Sequence, residues 1–345
     1  MKTKQYFAAG RRNYMKYIAN ENRYNSMPYN YCGNSGLKLP ALSLGLWHNF
    51  SDFDDYDNMV DMITTAFDLG ITHFDLANNY GRPAFGSAET NFGKILSELS
   101  AYRDEMVIST KAGYYMWPGP YGDFGSRKYL ISSLDASLKR MGLDYVDIFY
   151  HHRMDPNTPL EETMGALRDI VKSGKALYVG ISNYDAKTTK KACEILNDMG
   201  VRPLIHQMRF SMLDRHVETD GILDTSHKCG LGSIAFSPLE QGILSDKYLN
   251  GIPENSRAAK PNTFLTENNI TPERLSKVSK LNEIAKMRGQ SLSQMAIAWL
   301  LSVGNTTSVL VGASSSKQII ENVNALSNTT FSDDEIKMIE DILIK

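Results

Sequence analysis

Two kinds of segment alternate along this chain of 345 residues. Short apolar runs that suit buried strands are followed by stretches with apolar residues at helical period, and this pair recurs eight times from residue 41 onward. Such alternation is typical of a parallel sheet covered by helices, and eight units are the number that closes a barrel. The predicted strands are 41–46, 71–75, 106–111, 145–151, 176–182, 203–207, 233–237 and 307–312. The predicted helices are 56–69, 88–99, 127–142, 160–173, 186–199, 219–230, 272–303 in two pieces, and 316–326. We therefore predict the α/β class with a (β/α)8 TIM-barrel architecture.

Two segments are expected to decorate the barrel. Residues 29–40, YNYCGNSGLKLP, have the pattern of a β-hairpin with Asn34, Ser35 and Gly36 in its turn, and we expect it to plug the N-terminal mouth. The stretch 245–270, after the seventh strand, lacks an apolar period and contains Gly and Pro. Loops of this length in compact domains are usually functional lids or disordered. We predict a single barrel domain over 28–345, preceded by an N-terminal extension over 1–27.

The composition favours a small-molecule partner. The net charge is −2, from 37 basic and 39 acidic residues mixed along the chain, so no electrostatic footprint for nucleic acid or an anionic membrane is present. No apolar run approaches the roughly 20 residues of a membrane helix, and the N-terminus lacks the apolar stretch of a secretory signal. The 3 cysteines are too few and too scattered for a disulfide framework or a spaced metal site, which fits a reducing cytoplasm.

Four unlike polar side chains are predicted to meet at one end of this barrel. Asp75 and Tyr80 follow the second strand, Lys111 ends the third, and His152 follows the fourth. Singly, Lys111 could be a snorkelling surface residue, His152 a satisfied core imidazole, and Asp75 a cap or turn acid. Active sites of such barrels lie at the C-terminal strand ends, where all four residues fall. Their joint placement favours a functional site.

The chemistry of these four groups is that of proton transfer. A tyrosine is a weak acid, but a neighbouring ammonium such as that of Lys111 stabilises its phenolate. Asp75 would anchor Lys111, and His152 would donate to an oxygen on which negative charge develops. Tyr80 would then protonate a nascent alkoxide. An alkoxide forms when hydride attacks a carbonyl, and hydride requires a nicotinamide because no side chain donates it.

The nicotinamide needs a place in this barrel. No GxGxxG motif follows the first strand, so a Rossmann-type site is not expected. Ser182, Asn183 and Gln207 fall at strand ends and could hold a carboxamide, and Phe236 could stack on the ring. By itself, Phe236 is more often a core residue.

The last strand and helix predict a phosphate site. In VLVGASSSKQIIENV, the strand ends at Gly312 and small polar residues lead into a helix, whose free N–H groups and dipole favour an anion. Lys317 adds positive charge. Ordinary N-capping by Ser314 or Ser315 is the alternative reading.

The adjacent His151 and His152 do not predict a metal site. Neighbouring strand residues point to opposite faces, so at most one of them faces the barrel interior, and we predict no metal. Trp47, His48 and Trp117 could line an aromatic pocket wall or pack under loops, with the pocket favoured for Trp47.

The motifs FDLANNYG, VISTKAG, DIFYHHR, GISN, SPLEQGILSDKYLNGIPENSRA and VLVGASSSKQIIENV occur in this order over residues 28–330. In this set the chain resembles the aldo-keto reductases. The resemblance implies a catalytic tetrad of Asp75, Tyr80, Lys111 and His152, with His152 selected over His151. Other segments, such as SLGLWHNF and GLDYVDIFY, are most similar to a bacterial group of L-glyceraldehyde 3-phosphate reductases, which is related to the β subunits of potassium channels. That similarity implies NADPH-dependent reduction of small aldehydes such as triose phosphates and methylglyoxal.

The resemblance also implies the remaining site residues and the assembly. Lys247 and Arg257 would clasp the cofactor phosphates, a substrate pocket would form from Trp47, His48, Tyr80, Trp117 and Arg209, and the assembly would be a homo-oligomer, a tetramer or octamer. MKYIANENRY from Met15 looks like the start expected in this group, so the first 14 residues are expected to be poorly ordered. The implied cofactor contacts are Trp47, Asp75, Ser182, Asn183, Gln207, Phe236, Ser237, Leu239, Gly242, Lys247, Arg257, Gly312, Ser314, Lys317, Gln318, Glu321 and Asn322.

Several positions depart from the family pattern. Asp246 takes the place of a glycine beside the phosphate clasp, and Arg209 and Phe210 replace a small residue and a tyrosine. Gln318 stands where many members have an arginine for the 2′-phosphate, so NADH is expected as a weaker second cofactor. Two other functions stay open. One is a nucleotide-sensing binding subunit with little turnover, against which His152 argues, and the other is an aldolase that uses Lys111 as a Schiff-base nucleophile.

Overall fold

Eight parallel strands close into a barrel in the computed structural model, which describes residues 17–254, 256–259, 265–303 and 305–344. The described strands are β1 (Tyr29–Tyr31), β2 (Lys38–Pro40), β3 (Leu42–Gly45), β4 (His73–Asp75), β5 (Val107–Ala112), β6 (Val146–His151), β7 (Ala176–Ser182), β8 (Ile205–Arg209), β9 (Gly232–Phe236) and β10 (Ser308–Val311). The barrel order is β10-β3-β4-β5-β6-β7-β8-β9, with every neighbouring pair parallel. The predicted (β/α)8 barrel is confirmed.

Helices connect the strands on the outside of the barrel. They are α1 (Tyr56–Asp68), α2 (Ser87–Glu98), α3 (Arg127–Met141), α4 (Leu160–Lys172), α5 (Ala186–Asp198), α6 (His216–Thr219), α7 (Ile222–Lys228), α8 (Pro272–Met287), α9 (Leu292–Ser302), α10 (Ser316–Val323) and α11 (Asp333–Ile344). The single helix expected over 219–230 is instead α6 and α7, separated at Gly221, whose φ of 69° is a conformation that favours glycine.

The sequence analysis missed the last helix, α11. Its signal was present, because Ser332 and Glu335 form a capping box in which each side chain accepts a hydrogen bond from the other residue's backbone N–H. Apolar residues at helical spacing follow, and Ile339 is fully buried. Lys277 of α8 donates to the carbonyl oxygen of Leu343, which ties α11 to the barrel's outer layer.

The N-terminal hairpin closes the lower end of the barrel, as predicted. Strands β1 and β2 pair antiparallel, and the Asn34 N–H donates to the Gly230 carbonyl at 2.9 Å. Gly33 has a φ of 54°, and a Cβ at this position would lie 2.2 Å from the Gly230 oxygen, so only glycine fits. Cys32, fully buried, packs against the apolar residues inside the barrel.

The barrel interior contains an apolar cluster and a polar cluster. Ile148, Ile205, Ile234 and Leu310 belong to one buried apolar cluster that extends to the hairpin. On β3, β4, β5 and β10, four fully buried polar side chains are joined by hydrogen bonds. These four residues are Ser43, His73, Ser109 and Ser308.

The long loop after β9 is anchored to the barrel through a few buried side chains. Its described parts include short 3₁₀ turns at Asp246–Tyr248, Arg257–Ala259 and Glu267–Asn269. Tyr248 and Leu265 are buried. The lid role expected for 245–270 stays a prediction, and the first 14 residues lie outside the described residues.

Buried histidines are expected to make the stability of this fold sensitive to acid. Burial lowers the pKa of His73 and of His151 to about 4 and that of His206 to about 3. The unfolded chain therefore binds more protons than the folded one below about pH 6.5, and the free energy of unfolding falls as the pH falls through that window. Between its folded and unfolded pKa values, each of these histidines lowers the free energy of unfolding by about 1.4 kcal/mol for each pH unit of acidification.

This expectation is tested by urea unfolding of the wild type and His206→Gln across pH 7.5 to 5. Glutamine can still accept from the Tyr184 N–H, which contacts Nε2 of His206 at 3.3 Å. The variant should lose less stability on acidification than the wild type does. Identical pH slopes would show that His206 is not protonated on unfolding.

Candidate active site

The barrel brings the predicted tetrad to its C-terminal end. Asp75 is the last residue of β4, Lys111 lies near the end of β5, and His152 directly follows β6. Tyr80 lies in the loop after β4. The parallel register pairs Asp75 with Ser109 and Lys111 with Tyr150, which aligns the three strand ends.

A buried ion pair lies at the centre of the site. The Lys111 Nζ donates to Asp75 Oδ2 at 2.5 Å and to the Leu76 carbonyl at 2.7 Å. The second oxygen of Asp75 accepts from Ser109 Oγ at 2.6 Å and from Gln207 Nε2 at 3.2 Å. Burial lowers the pKa of Lys111, and the charge of Asp75 opposes that shift. Both charged groups are thus satisfied by hydrogen bonds, as burial requires.

Tyr80 lies above this pair. The Lys111 Nζ is 5.1 Å from the centroid of the Tyr80 ring. The sequence analysis expected Lys111 to lower the pKa of Tyr80, but burial, with smaller contributions from the charges of Asp75 and Tyr114, raises that pKa well above its usual value. The desolvated phenol therefore stays protonated, which suits a proton donor more than a resting base.

His152 faces Tyr80 as a neutral imidazole. The two ring centroids are 6.0 Å apart, and Tyr114 meets His152 edge-on at 4.7 Å. Burial and the charge of Lys111 hold the pKa of His152 well below its usual value. The neighbouring His151 instead contacts the Tyr184 hydroxyl at 2.6 Å. Of the two histidines, His152 is therefore the one whose ring lies next to Tyr80.

The side chains expected to hold the carboxamide surround the same end of the barrel. Asn183 has a φ of 56° and donates to the His152 carbonyl at 3.0 Å and to Ser182 Oγ at 3.1 Å. Gln207 reaches the Asp75 carboxylate. Phe236, half-buried at the end of β9, packs against the apolar cluster inside the barrel, so it is a core residue as well as a residue of the site's edge.

The predicted pocket wall is only partly assembled next to Tyr80. Trp47 lies with its ring centroid 4.3 Å from His48 and 6.2 Å from Tyr80, and its side chain is 36% exposed. Trp117 packs at 5.4 Å against Tyr129 of α3. Trp47 and His48 thus border the tetrad, whereas the observed ring contact of Trp117 is with the helix layer.

Arg209 is held by carboxylates. Its Nη2 donates to Glu240 at 2.9 Å, and its Nε lies 3.1 Å from an Asp214 oxygen. Glu240 is only 3% exposed and also pairs with Arg274 at 3.0 Å and accepts from Ser211. The sequence analysis did not single out Glu240, whose signal was an acid between the two cofactor positions expected at 239 and 242. These ion pairs fasten the start of the long loop to β8 and α8.

The loop residues expected near the phosphates lie in tight turns. Ser237 has a φ of 55° and Gly242 a φ of 101°. Leu239 packs partly buried against the core, and Ser245 accepts from the Lys247 N–H. Asp246 and Lys247 are exposed, whereas the side chain of Arg257 lies outside the described part of the chain.

The start of α10 is capped as the alternative reading expected. Ser315 accepts from the Gln318 N–H at 3.4 Å, and Gln318 Oε1 accepts from the Ser314 N–H at 2.9 Å. Gly312, Lys317 and Glu321 are exposed there. The Asn322 Nδ2 atom is buried, with no hydrogen-bond partner among the residues that the structure describes. A buried donor of this kind is costly unless a bound group satisfies it, so an acceptor bound beside α10 would offset that cost.

The described residues contain neither a membrane-spanning helix nor a metal-binding cluster. No helix in the described ranges is long and apolar enough to cross a membrane. Among those same residues, no group of three or more His, Cys, Asp or Glu side chains is arranged to hold a metal ion.

Comparison with known proteins adds to this geometry. Residues 41–344 match the aldo/keto reductase family. An L-glyceraldehyde 3-phosphate reductase of Escherichia coli O157:H7 is 57% identical over 330 residues, covering 94% of this chain and 95% of that protein, and one of strain K12 is 56% identical over the same length. A putative voltage-gated potassium channel subunit beta of Schizosaccharomyces pombe is 38% identical, covering 87% of this chain and 88% of that protein. The chain is therefore a member of the aldo/keto reductase family and an oxidoreductase.

Proposed function

We propose that this enzyme reduces short, polar aldehydes to alcohols with NADPH, and that Tyr80 donates the proton. The observation that carries the proposal is the buried Asp75–Lys111 pair beneath a desolvated Tyr80, with neutral His152 beside it. The bound nicotinamide would supply the hydride to the carbonyl carbon. The carbonyl oxygen would then take up the proton from the Tyr80 hydroxyl while His152 donates a hydrogen bond to it.

The proposed cofactor site uses side chains from the barrel rim, the long loop and α10. Ser182, Asn183 and Gln207 would hold the carboxamide and Phe236 would stack on the ring, next to Trp47. At the opposite end of the proposed cofactor site, the Asn322 Nδ2 atom is buried and has no hydrogen-bond partner among the described residues. This donor supports the binding of a group that carries an acceptor atom. Lys247, Arg257 and Lys317 would neutralise phosphates. NADH would bind as a second, weaker cofactor, since the neutral Gln318 lowers the selectivity for the 2′-phosphate of NADPH. Contacts from Ser237, Leu239, Gly242, Gly312, Ser314 and Glu321 would complete the site.

The proposed substrates are triose phosphates and methylglyoxal. Two relatives that are 57% and 56% identical to this chain carry the name L-glyceraldehyde 3-phosphate reductase. Trp47 and His48 at the edge of the tetrad give a compact wall that mixes aromatic and polar surface, which suits a short polar aldehyde better than a long apolar chain. From the similarity to the same relatives, we also propose that this enzyme is a cytoplasmic homo-oligomer.

An NADPH-oxidation assay over short aldehydes, with and without a phosphate group, tests this function. Turnover of glyceraldehyde 3-phosphate or methylglyoxal would support it. A preference in kcat/KM for long-chain aldehydes would contradict the substrate class. Nucleotide binding without turnover of any aldehyde would instead favour a role like that of the channel subunits.

Tyr80→Phe is expected to lose most aldehyde reduction while retaining NADPH binding. General acid catalysis is typically worth about 10²–10⁴-fold, and only the hydroxyl is removed. Steady-state kinetics and fluorescence titration of NADPH measure the two properties. A variant that retains more than about half of the wild-type kcat would exclude Tyr80 as the acid.

Lys247→Ala is expected to weaken NADPH binding most at low salt, because exposed phosphate contacts are screened by ions. Lys317→Ala should weaken binding of NADPH more than that of NADH, if it faces the 2′-phosphate. Lys190→Ala, which removes an exposed lysine of α5, is the matched control. Equal losses for NADPH and NADH in Lys317→Ala would place Lys317 away from the 2′-phosphate.

Arg209→Ala distinguishes a grip on substrate phosphate from a loop anchor. Because two of its nitrogens already face Glu240 and Asp214, we expect similar, modest changes in KM for glyceraldehyde 3-phosphate and methylglyoxal. Glu240→Gln, which weakens the same ion pair, should give the same pattern. A selective rise in KM for the phosphorylated substrate in Arg209→Ala, but not in Glu240→Gln, would instead indicate that Arg209 binds the substrate phosphate.

A further inference from the structure

A chain of hydrogen bonds runs through the polar cluster of the barrel to Asp75. The Ser308 and Ser43 hydroxyls are 2.7 Å apart, and Ser43 Oγ lies 2.8 Å from His73 Nδ1. On the other side of the ring, His73 Nε2 lies 3.0 Å from Ser109 Oγ, which reaches Asp75 Oδ1 at 2.6 Å. These residues come from β10, β3, β4 and β5, and all are buried.

The chemistry of Asp75 fixes the direction of every bond in this chain. An ionised carboxylate only accepts, so the Ser109 hydroxyl donates to it. Because that proton is used, Ser109 Oγ must accept from His73, which therefore carries its proton on Nε2. The Nδ1 atom of the neutral ring then accepts from Ser43, whose oxygen accepts from Ser308. All of the donors point toward the negative charge.

The surroundings of His73 agree with this arrangement. Its side chain is fully buried, and burial lowers its pKa to about 4. At neutral pH the ring is therefore uncharged and must be a donor on one nitrogen and an acceptor on the other. In a low-dielectric interior, the successive hydrogen bonds of such a chain polarise one another and become stronger.

We propose that His73, acting through Ser109, is a positioning residue that holds the Asp75 carboxylate in place against Lys111, and so fixes the Lys111 ammonium beneath Tyr80. This inference rests on the proposed function, since it concerns the strength of Tyr80 as an acid. Without the Ser109 donor, the carboxylate would be less stabilised and Lys111 would support the phenolate less well. The Tyr80 hydroxyl would then be a weaker acid.

Other titratable groups also face this centre, and the test has to leave them unchanged. They approach from β6, from the loops after β5 and β6, and from α2. Tyr150 lies 5.8 Å, ring centroid to Nζ, from Lys111, and Glu89 of α2 acts on Lys111 through its charge. The remaining groups around Tyr80 and His152 are Tyr114, His151 and Arg153.

A purely structural role for the chain would affect stability without changing the acid. The variants Ser109→Ala, His73→Leu and His73→Gln test the two roles. The glutamine amide offers a donor and an acceptor in place of the two ring nitrogens. The matched control is Ser226→Ala, because Ser226 is also fully buried and bonded to a buried histidine, at 3.0 Å from His206 Nδ1, but lies outside this chain of bonds.

The first measurement is the pH profile of alcohol oxidation with NADP⁺, which needs the Tyr80 phenolate. In Ser109→Ala and His73→Leu, the rising limb should move to higher pH by about one unit, the size expected for losing a hydrogen bond to a charged group. His73→Gln should move it less. Ser226→Ala should lower the thermal midpoint without moving the limb.

The second measurement, ¹⁵N NMR of the histidine rings, does not depend on turnover. His73 should show a protonated Nε2 and an unprotonated Nδ1 in the wild-type protein. The opposite tautomer would overturn the proposal, because the chain would then point away from Asp75. The proposal would also be overturned if the wild type is active and Tyr80→Phe is inactive, but the rising limb of the pH profile is the same in Ser109→Ala as in the wild type. An inactive wild type would instead contradict the proposed function.

Discussion

The buried pair of Lys111 and Asp75 is the interaction on which the rest of the site depends. Two charges at this depth are tolerated only if further hydrogen bonds offset their desolvation, which costs several kcal/mol per ion. The Leu76 carbonyl, Ser109 and Gln207 meet that requirement. They come from three different parts of the barrel wall, so the pair is stable only when the barrel is closed in the observed register.

The division of the barrel interior follows from the same requirement. The apolar cluster and the hairpin form a packed lower core, in which Cys32 and Leu39 meet residues such as Ile148 and Ile234. The polar cluster includes Ser43 on β3, the strand next to the one that carries Asp75, and Ser308 on β10, one strand further round the barrel. Because these polar side chains are buried, they satisfy their hydrogen-bonding groups through bonds to one another. Their burial in a low-dielectric interior strengthens the electrostatic interactions between them.

Loops and helix ends complete the rim of the barrel through caps and ion pairs. Ser315 caps α10, and Glu240 joins the long loop to Arg209 and Arg274. Such contacts set the shape of the segments that the proposed cofactor would meet. Ser315 and the two arginines are partly exposed, but the Glu240 carboxylate that both arginines contact is buried, so the attachment of the loop depends most on Glu240.

The sequence by itself determined the eight strands, the hairpin and the strand-end positions of the tetrad, because apolar period and chain order carry that information. Residues at strand ends must meet when parallel strands close a barrel. Only the tertiary structure decided which groups touch. The guanidinium of Arg209 is bound by Glu240, and Ser109 connects His73 with Asp75. It also decided that burial raises the pKa of Tyr80 despite its cationic neighbour. These outcomes depend on side-chain direction and on desolvation by residues distant in sequence, which no local pattern records.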